Sequence, residues 1–316
     1  MIDPGRARAL LGALRRDRAA ACAALVLAIL VAACVLVPSL SSLRWDETRL
    51  DLGATPPSAA HWLGTDAFGR DLLVRVLLGG RVTLAVGLSA SLLSFAVGLA
   101  WGTAAAWIGG RVDAVMMRVV DVVDALPVMA IVLLVQAFFA GEGSTPLRLF
   151  RRALAALGQR PDAPWTLPIF QLVFVSLLLG ALSWTTLARV ARGQGLVLRG
   201  QPFIEAARAL GARPAAIVIR HLIPNLLGPA VVVVAVGLPD VMTAEAFLSF
   251  LGVGAQEPLA SLGLLVAAGA EGMDVRPWLL AAPVVLLLAI LVCSNLLAER
   301  LREGLGIRGR AARRRR

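Results

Sequence analysis

Apolar residues run along this chain in long blocks, separated by short clusters rich in arginine, proline and glycine. A helix that crosses a bilayer needs about 20 largely apolar residues. Six stretches meet that requirement, at 19–40, 82–108, 119–140, 167–190, 226–251 and 277–297. Helix punctuation stands at their ends, in Pro38, the Gly109–Gly110 pair, Gly141, Pro224 and Pro277. The pattern predicts an all-α polytopic membrane protein with six spans. It divides the chain into an N-terminal segment (1–18), a first span with a long loop (19–81), the main transmembrane domain (82–298) and an Arg-rich tail (299–316). Along the second span, Ser94, Gly98, Gly102 and Ala106 form a stripe of small residues suited to close helix packing.

Charge fixes the expected orientation. All 31 basic residues are arginine, and they fall mostly between the apolar blocks. With the termini and even-numbered loops on one side, that side carries 21 of them and the other 10. The positive-inside bias therefore predicts cytoplasmic termini in a bacterial inner membrane. The net charge of +11 is thus a topology signal, and no nucleic-acid partner is expected. Composition agrees, with 59% hydrophobic and 16% charged residues and a mean hydropathy of +0.81. The absence of lysine excludes a P-loop in this chain, and Schiff-base chemistry through lysine with it. Cys22, Cys34 and Cys293 lie in apolar runs without metal-ligand spacing. The string ending at Cys34 resembles a lipoprotein cleavage box, but the apolar run continues past it, which favours an uncleaved first helix.

The loops differ in character. The first, 41–81, mixes five acids with five arginines. In the third, 141–168, Leu147, Phe150, Leu154 and Leu157 share one side of a short helix, expected to lie on the membrane surface. The tail, 310–316, suits contact with anionic lipid. The fourth, 200–225, predicts a helix beginning at Pro202 and capped by a left-handed Gly211, with Glu205 near its positive end. A second short helix begins at Pro214 and is expected to end at Pro224 and Asn225, before span five.

That fourth loop carries a resemblance. EAARALG, nine residues and then HLIP is similar to the EAA loop of bacterial ABC-importer permeases, carried here by Glu205, Ala206, Ala207, Gly211 and Pro224. His221 stands where the dipeptide/oligopeptide/nickel branch typically has histidine. Three further stretches resemble that branch: HWLGTDAFGRDLLVRVLLGGRVTL (61–84), GGRVDAVMMRVVDVVDALP (109–127) and AEAFLSFLGVGAQEP (244–258). The third loop is longer than the family's usual connection, and Leu262 replaces a common tryptophan. The resemblance implies a permease subunit for peptides or a related solute such as nickel. It also implies a second homologous permease, two cytoplasmic ATPases docked on the EAA loop, and an extracytoplasmic binding protein. No cofactor is expected on this chain; ATP and Mg would reside on the ATPases.

Two acids inside span five, Asp240 and Glu245, suggest either a lining of the translocation path or interhelical pairing. They also motivate a rival, a proton-coupled secondary transporter. Asp121 and Asp124 share a helix face beside Arg118 and loop four, where a structural contact is expected. No catalytic constellation such as GxSxG or HExxH is present.

Overall fold

The computed structural model describes residues 17–40 and 47–304; most of the N-terminal segment and of the Arg-rich tail lie outside them. The described residues form twelve α-helices and no strand. They are α1 (Arg18–Leu40), α2 (Leu72–Ile108), α3 (Gly110–Ala125), α4 (Val128–Phe139), α5 (Thr145–Ala156) and α6 (Thr166–Leu182). After these come α7 (Thr185–Arg199), α8 (Pro202–Ala209), α9 (Pro214–Ile217), α10 (Ile223–Phe250), α11 (Leu262–Ala270) and α12 (Pro277–Gly304). By length and apolar character five continuous stretches can cross a membrane, and counting the bent pair α3 and α4 as one span gives six.

Helix α2 is the centre of the bundle and begins at Leu72, well before the expected 82. Arg75 and Arg81 interrupt the apolar run and hide the start of the helix from a hydropathy reading. The actual start is the Asp71 side chain, which accepts the Val74 N–H at 3.0 Å and satisfies an orphan donor of the first turn.

The expected single span at 119–140 is instead two helices that meet at 81°. Pro127 has no N–H to donate and disfavours helical geometry in the residue before it. Leu126 accordingly adopts φ −78° and ψ 137°.

The second short helix of loop four does not end at Pro224 either. The chain stays helical from Pro214 to Phe250 through a π-turn at Val218–Leu222, where the Ile223 N–H reaches back to the Val218 carbonyl. A π-turn shifts the hydrogen-bond register by one residue, which suits a proline placed just after it. Asn225 Nδ2 then donates to the His221 carbonyl at 2.7 Å. Pro239 sits within α10 without breaking it.

The small-residue stripe packs α2 against α7. A Cβ on Gly98 would lie 2.7 Å from the Trp184 carbonyl oxygen, and one on Gly102 would overlap the Ala188 carbonyl oxygen. Gly195 answers from α7, where a Cβ would come 2.7 Å from Ala106 Cβ. Trp101 and Trp184 pack beside this seam in a tilted pair, 5.1 Å between ring centroids. On the other side of α2, buried Cys34 of α1 touches Gly80, with Leu286 of α12 close by. The two ends of α2 are therefore set apart. At the Ile108 end, Arg199 Nη1 donates to the Ala106 carbonyl at 3.2 Å and leads into loop four. At the Leu72 end lie the first loop and α11, about 55 Å away at 1.5 Å per residue.

Candidate functional site

Loop four is built from local rules. Pro202 opens α8 at a position where its missing N–H costs nothing. The helix closes at Leu210, and Gly211 turns the chain at φ +76°. The Gly211 N–H returns to the Arg208 carbonyl at 2.9 Å and the Ala212 N–H to the Ala207 carbonyl at 3.0 Å. That pair of bonds is a Schellman motif. A Cβ on Gly211 would meet nothing within 4 Å, so glycine is required by backbone conformation and not by space.

Two contacts seat α8 on the bundle. Ile204 is fully buried, and the Arg208 guanidinium lies over the Trp107 ring at 5.1 Å, a cation–π geometry. His221, half-buried in the π-turn, faces Phe203 at 6.2 Å. The opposite face is bare. Phe203, Glu205, Ala206 and Ala209 are exposed, and Leu210 is 88% exposed. Ala207 and Pro224 are half-buried. Two large apolar side chains, Phe203 and Leu210, are therefore left exposed on a short, firmly seated helix.

The two intramembrane acids part company. Asp240 is exposed within a cavity of 610 Å³ whose wall also includes Ser91, Ser94, Thr185 and Gly237. Glu245, five residues on, is 0% exposed. Its Oε1 accepts the Ser249 hydroxyl at 2.7 Å, and the Thr83 and Ser261 hydroxyls lie against the carboxyl group. Glu245 sits where α10, α2 and the start of α11 meet, with its Oε2 lacking a hydrogen-bond partner among the described residues. Asp240 thus lines a cavity, whereas Glu245 is buried among α10, α2 and the start of α11.

Asp121 and Asp124 contact α7 ahead of loop four, in place of the expected Arg118 or loop four itself. Arg189 Nη2 donates to Asp121 at 3.1 Å, Arg189 Nη1 donates to Asp124, and Thr185 Oγ1 donates to Asp124 at 2.7 Å. Arg192 makes a matching fork to Asp113, with Nη2 at 2.6 Å from Oδ2. These pairs brace the broken span against α7.

One cluster was not anticipated from the sequence. At the Leu72 end, Arg70 Nε donates to Asp66 at 2.7 Å and its Nη1 to Glu257 at 2.9 Å. Arg75 Nη2 donates to the other oxygen of Glu257 at 2.7 Å. His61 Nδ1 is 2.8 Å from Asp71 Oδ2 in the same loop. Two of the stretches singled out by resemblance, 61–84 and 244–258, are therefore clamped together. Burial opposes charge on Glu257, but the Arg70 and Arg75 guanidiniums outweigh it and hold the carboxyl below its ordinary range. The available signal was Arg75 inside an apolar run, since a charge there needs a partner.

Comparison with known proteins identifies the family. The family model for the binding-protein-dependent transport system inner membrane component matches residues 96–306, which include loop four and Asp240. The oligopeptide transport system permease protein OppC of Escherichia coli is 38% identical over 291 residues, spanning 92% of this chain and 87% of that protein. Its namesake in Mycobacterium tuberculosis is 30% identical over 299 residues, spanning 95% and 94%. The one in Bacillus subtilis is 29% identical over 291 residues, spanning 92% and 86%.

Proposed function

This chain belongs to the family of binding-protein-dependent transport system inner membrane components, and from that premise we propose that it forms part of a peptide path driven by ATPases docked on loop four. It is a permease subunit of an ABC importer, so the proton-coupled alternative is set aside. The observation that carries the coupling proposal is the bare face of α8, with Leu210 at its edge and Ile204 anchored beneath.

The assembly proposed is this chain, a second related permease, two cytoplasmic ATPases with their ATP and Mg, and an extracytoplasmic binding protein. Loop four and both termini face the cytoplasm. The chain itself hydrolyses nothing. Closure of the ATPases pushes α8, and the Gly211 turn passes that displacement to Pro214. From there the helix is unbroken to Phe250, so motion at its start is carried along its axis to Asp240, about 39 Å further on. The π-turn at Val218–Leu222 is the one departure from α-geometry in that lever and the place where its register can adjust. In the cavity, the Asp240 carboxylate among serine and threonine hydroxyls suits the ammonium and amide groups of a peptide.

Two measurements test this reading. Asp240→Asn should lower ATP-driven peptide uptake about tenfold, equivalent to about 1.5 kcal/mol from a lost charge-assisted hydrogen bond. The ATPases should still co-purify; failure to assemble would make Asp240 a packing group. For topology, cysteines at Ala60 and Glu142, both exposed, should react with an impermeant reagent from outside intact cells. A cysteine at exposed Arg213 should react only after the membrane is opened. External labelling at 213 would invert the arrangement.

A further inference from the structure

A groove runs along the last turns of α2, outside the Asp240 cavity. Ala100, Ala104 and Trp107 form one wall, at the spacing of a single helix face. Ala215, Ile219 and Ile223 form the other, from α9 through the π-turn to the start of α10. The groove has a volume of 500 Å³, and no charged residue lines it. It follows α2 from Ala100 to Ile108, about 12 Å at 1.5 Å per residue, and so runs along the span. Alanines at 100, 104 and 215 leave the room, and the walls open outward, since Ile108 is 55% and Ile219 64% exposed.

The mouth of the groove, at the Ile108 end, is positive. The Trp107 ring carries two guanidiniums, Arg208 at 5.1 Å and Arg199 at 6.0 Å. Arg199 directs Nη1 to the Ala106 carbonyl. Arg208 and Arg220, the latter next to Ile219, are exposed and make no ion pair among the described residues. Loop four holds three arginines, at 208, 213 and 220, against Glu205 alone. Apolar walls, then an indole ring, then guanidiniums is the order in which a phospholipid presents its acyl chain, its interfacial region and its phosphate.

We propose that this groove binds an anionic phospholipid, with an acyl chain laid between α2 and the start of α10 and the phosphate drawn to Arg208 and Arg220. The inference takes from the importer reading only that this end faces the cytoplasm. A neutral lipid would fill the groove and leave the arginines unpaired. A soluble acidic surface would pair the arginines and leave the groove empty. An anionic lipid answers both, and guanidinium forks match phosphate oxygens. Because one wall is the π-turn itself, a lipid seated here braces the base of the lever that runs from Pro214 to Phe250.

The test uses the whole transporter, with its second permease and ATPases, in nanodiscs of equal phosphatidylcholine and phosphatidylglycerol. A photo-cross-linking amino acid replaces Ile219, and the mass of the irradiated permease identifies what it captured. Phosphatidylglycerol should be captured over phosphatidylcholine at least about fivefold, the preference that one basic residue near an anionic headgroup supplies. High salt should shrink the ratio. Arg208→Gln combined with Arg220→Gln should bring it close to one, whereas Arg208→Lys combined with Arg220→Lys, which keeps the charge, should retain most of it. Equal capture of the two lipids would overturn the proposal, as would a ratio that the glutamine variant leaves unchanged. Capture of the second permease or of an ATPase in place of lipid would also overturn it, by making the groove a subunit contact. Lipid identity is read without uptake or ATP, so failure here leaves the coupling role of loop four untouched.

Discussion

Replacing Gly211 with valine is expected to reduce ATP-driven uptake at least about tenfold while the permease remains inserted. The reason is conformational. A residue with a Cβ at φ +76° loses about 1–2 kcal/mol, and a β-branched one is the least tolerant. Relieving that strain breaks the two hydrogen bonds that close α8, and an isolated helix of eight residues has no independent stability. The shift suffices to depopulate the docking geometry by the tenfold stated. Because a Cβ here would meet nothing within 4 Å, Gly211→Asn should retain most of the activity, since asparagine tolerates left-handed backbone. Equal loss in the asparagine and valine variants would point to bulk at the ATPase contact as the cause. Normal uptake in both would reduce loop four to a connector.

Glu257→Gln should destabilise the protein by roughly 2 kcal/mol. Removing one partner of a buried ion pair typically costs about 3–5 kcal/mol, because the other charge is stranded. Here Arg75 is 1% exposed, but the Glu257 side chain is 49% exposed, so solvent screening lowers the figure. Arg75 would be left with Asp66 at 3.5 Å and with Nε and Nη1 lacking hydrogen bonds. Thermal unfolding in detergent should fall by about 4 °C. Removing both charges, with Arg75→Met and Glu257→Leu, should recover most of the loss, because no buried charge remains unpaired. The pH dependence follows from the sign of the shift. The Glu257 carboxyl titrates lower in the folded protein than in the unfolded chain. Its contribution is thus fully present above the unfolded value of about 4.3 and lost as pH falls through the folded one. The gap between wild type and Glu257→Gln should be widest at neutral pH and close under acid. A gap that widens under acid would mean that the arginines do not hold Glu257 ionised.

The features legible in the sequence are those written in local rules. Pro202 and Gly211 bracket α8 because helix starts and left-handed stops depend on a handful of neighbouring residues. The spans are visible because the bilayer imposes a length. The stripe from Ser94 to Ala106 announced a close contact, and α7 makes it. Features resting on distant partners were hidden. Arg75 and Glu257 are 182 positions apart, and nothing near either one names the other. The faces of Asp240 and Glu245 depend on which helices surround α10, so two similar acids in one span received one reading and have two settings. Proline was misjudged in both directions. At Pro127 the apolar run masked a break, and at Pro224 a helix terminator proved compatible with a continuous helix through a π-turn.

The central claim is that α8 is the surface on which the ATPases act. A photo-cross-linking amino acid in place of Leu210, 88% exposed on that helix, tests it in the assembled complex. Irradiation should join the permease to an ATPase subunit, with a yield that changes when ATP is bound, while the same probe at Glu142 should give no such product. An ATPase cross-link from position 142 and none from position 210 would contradict the account.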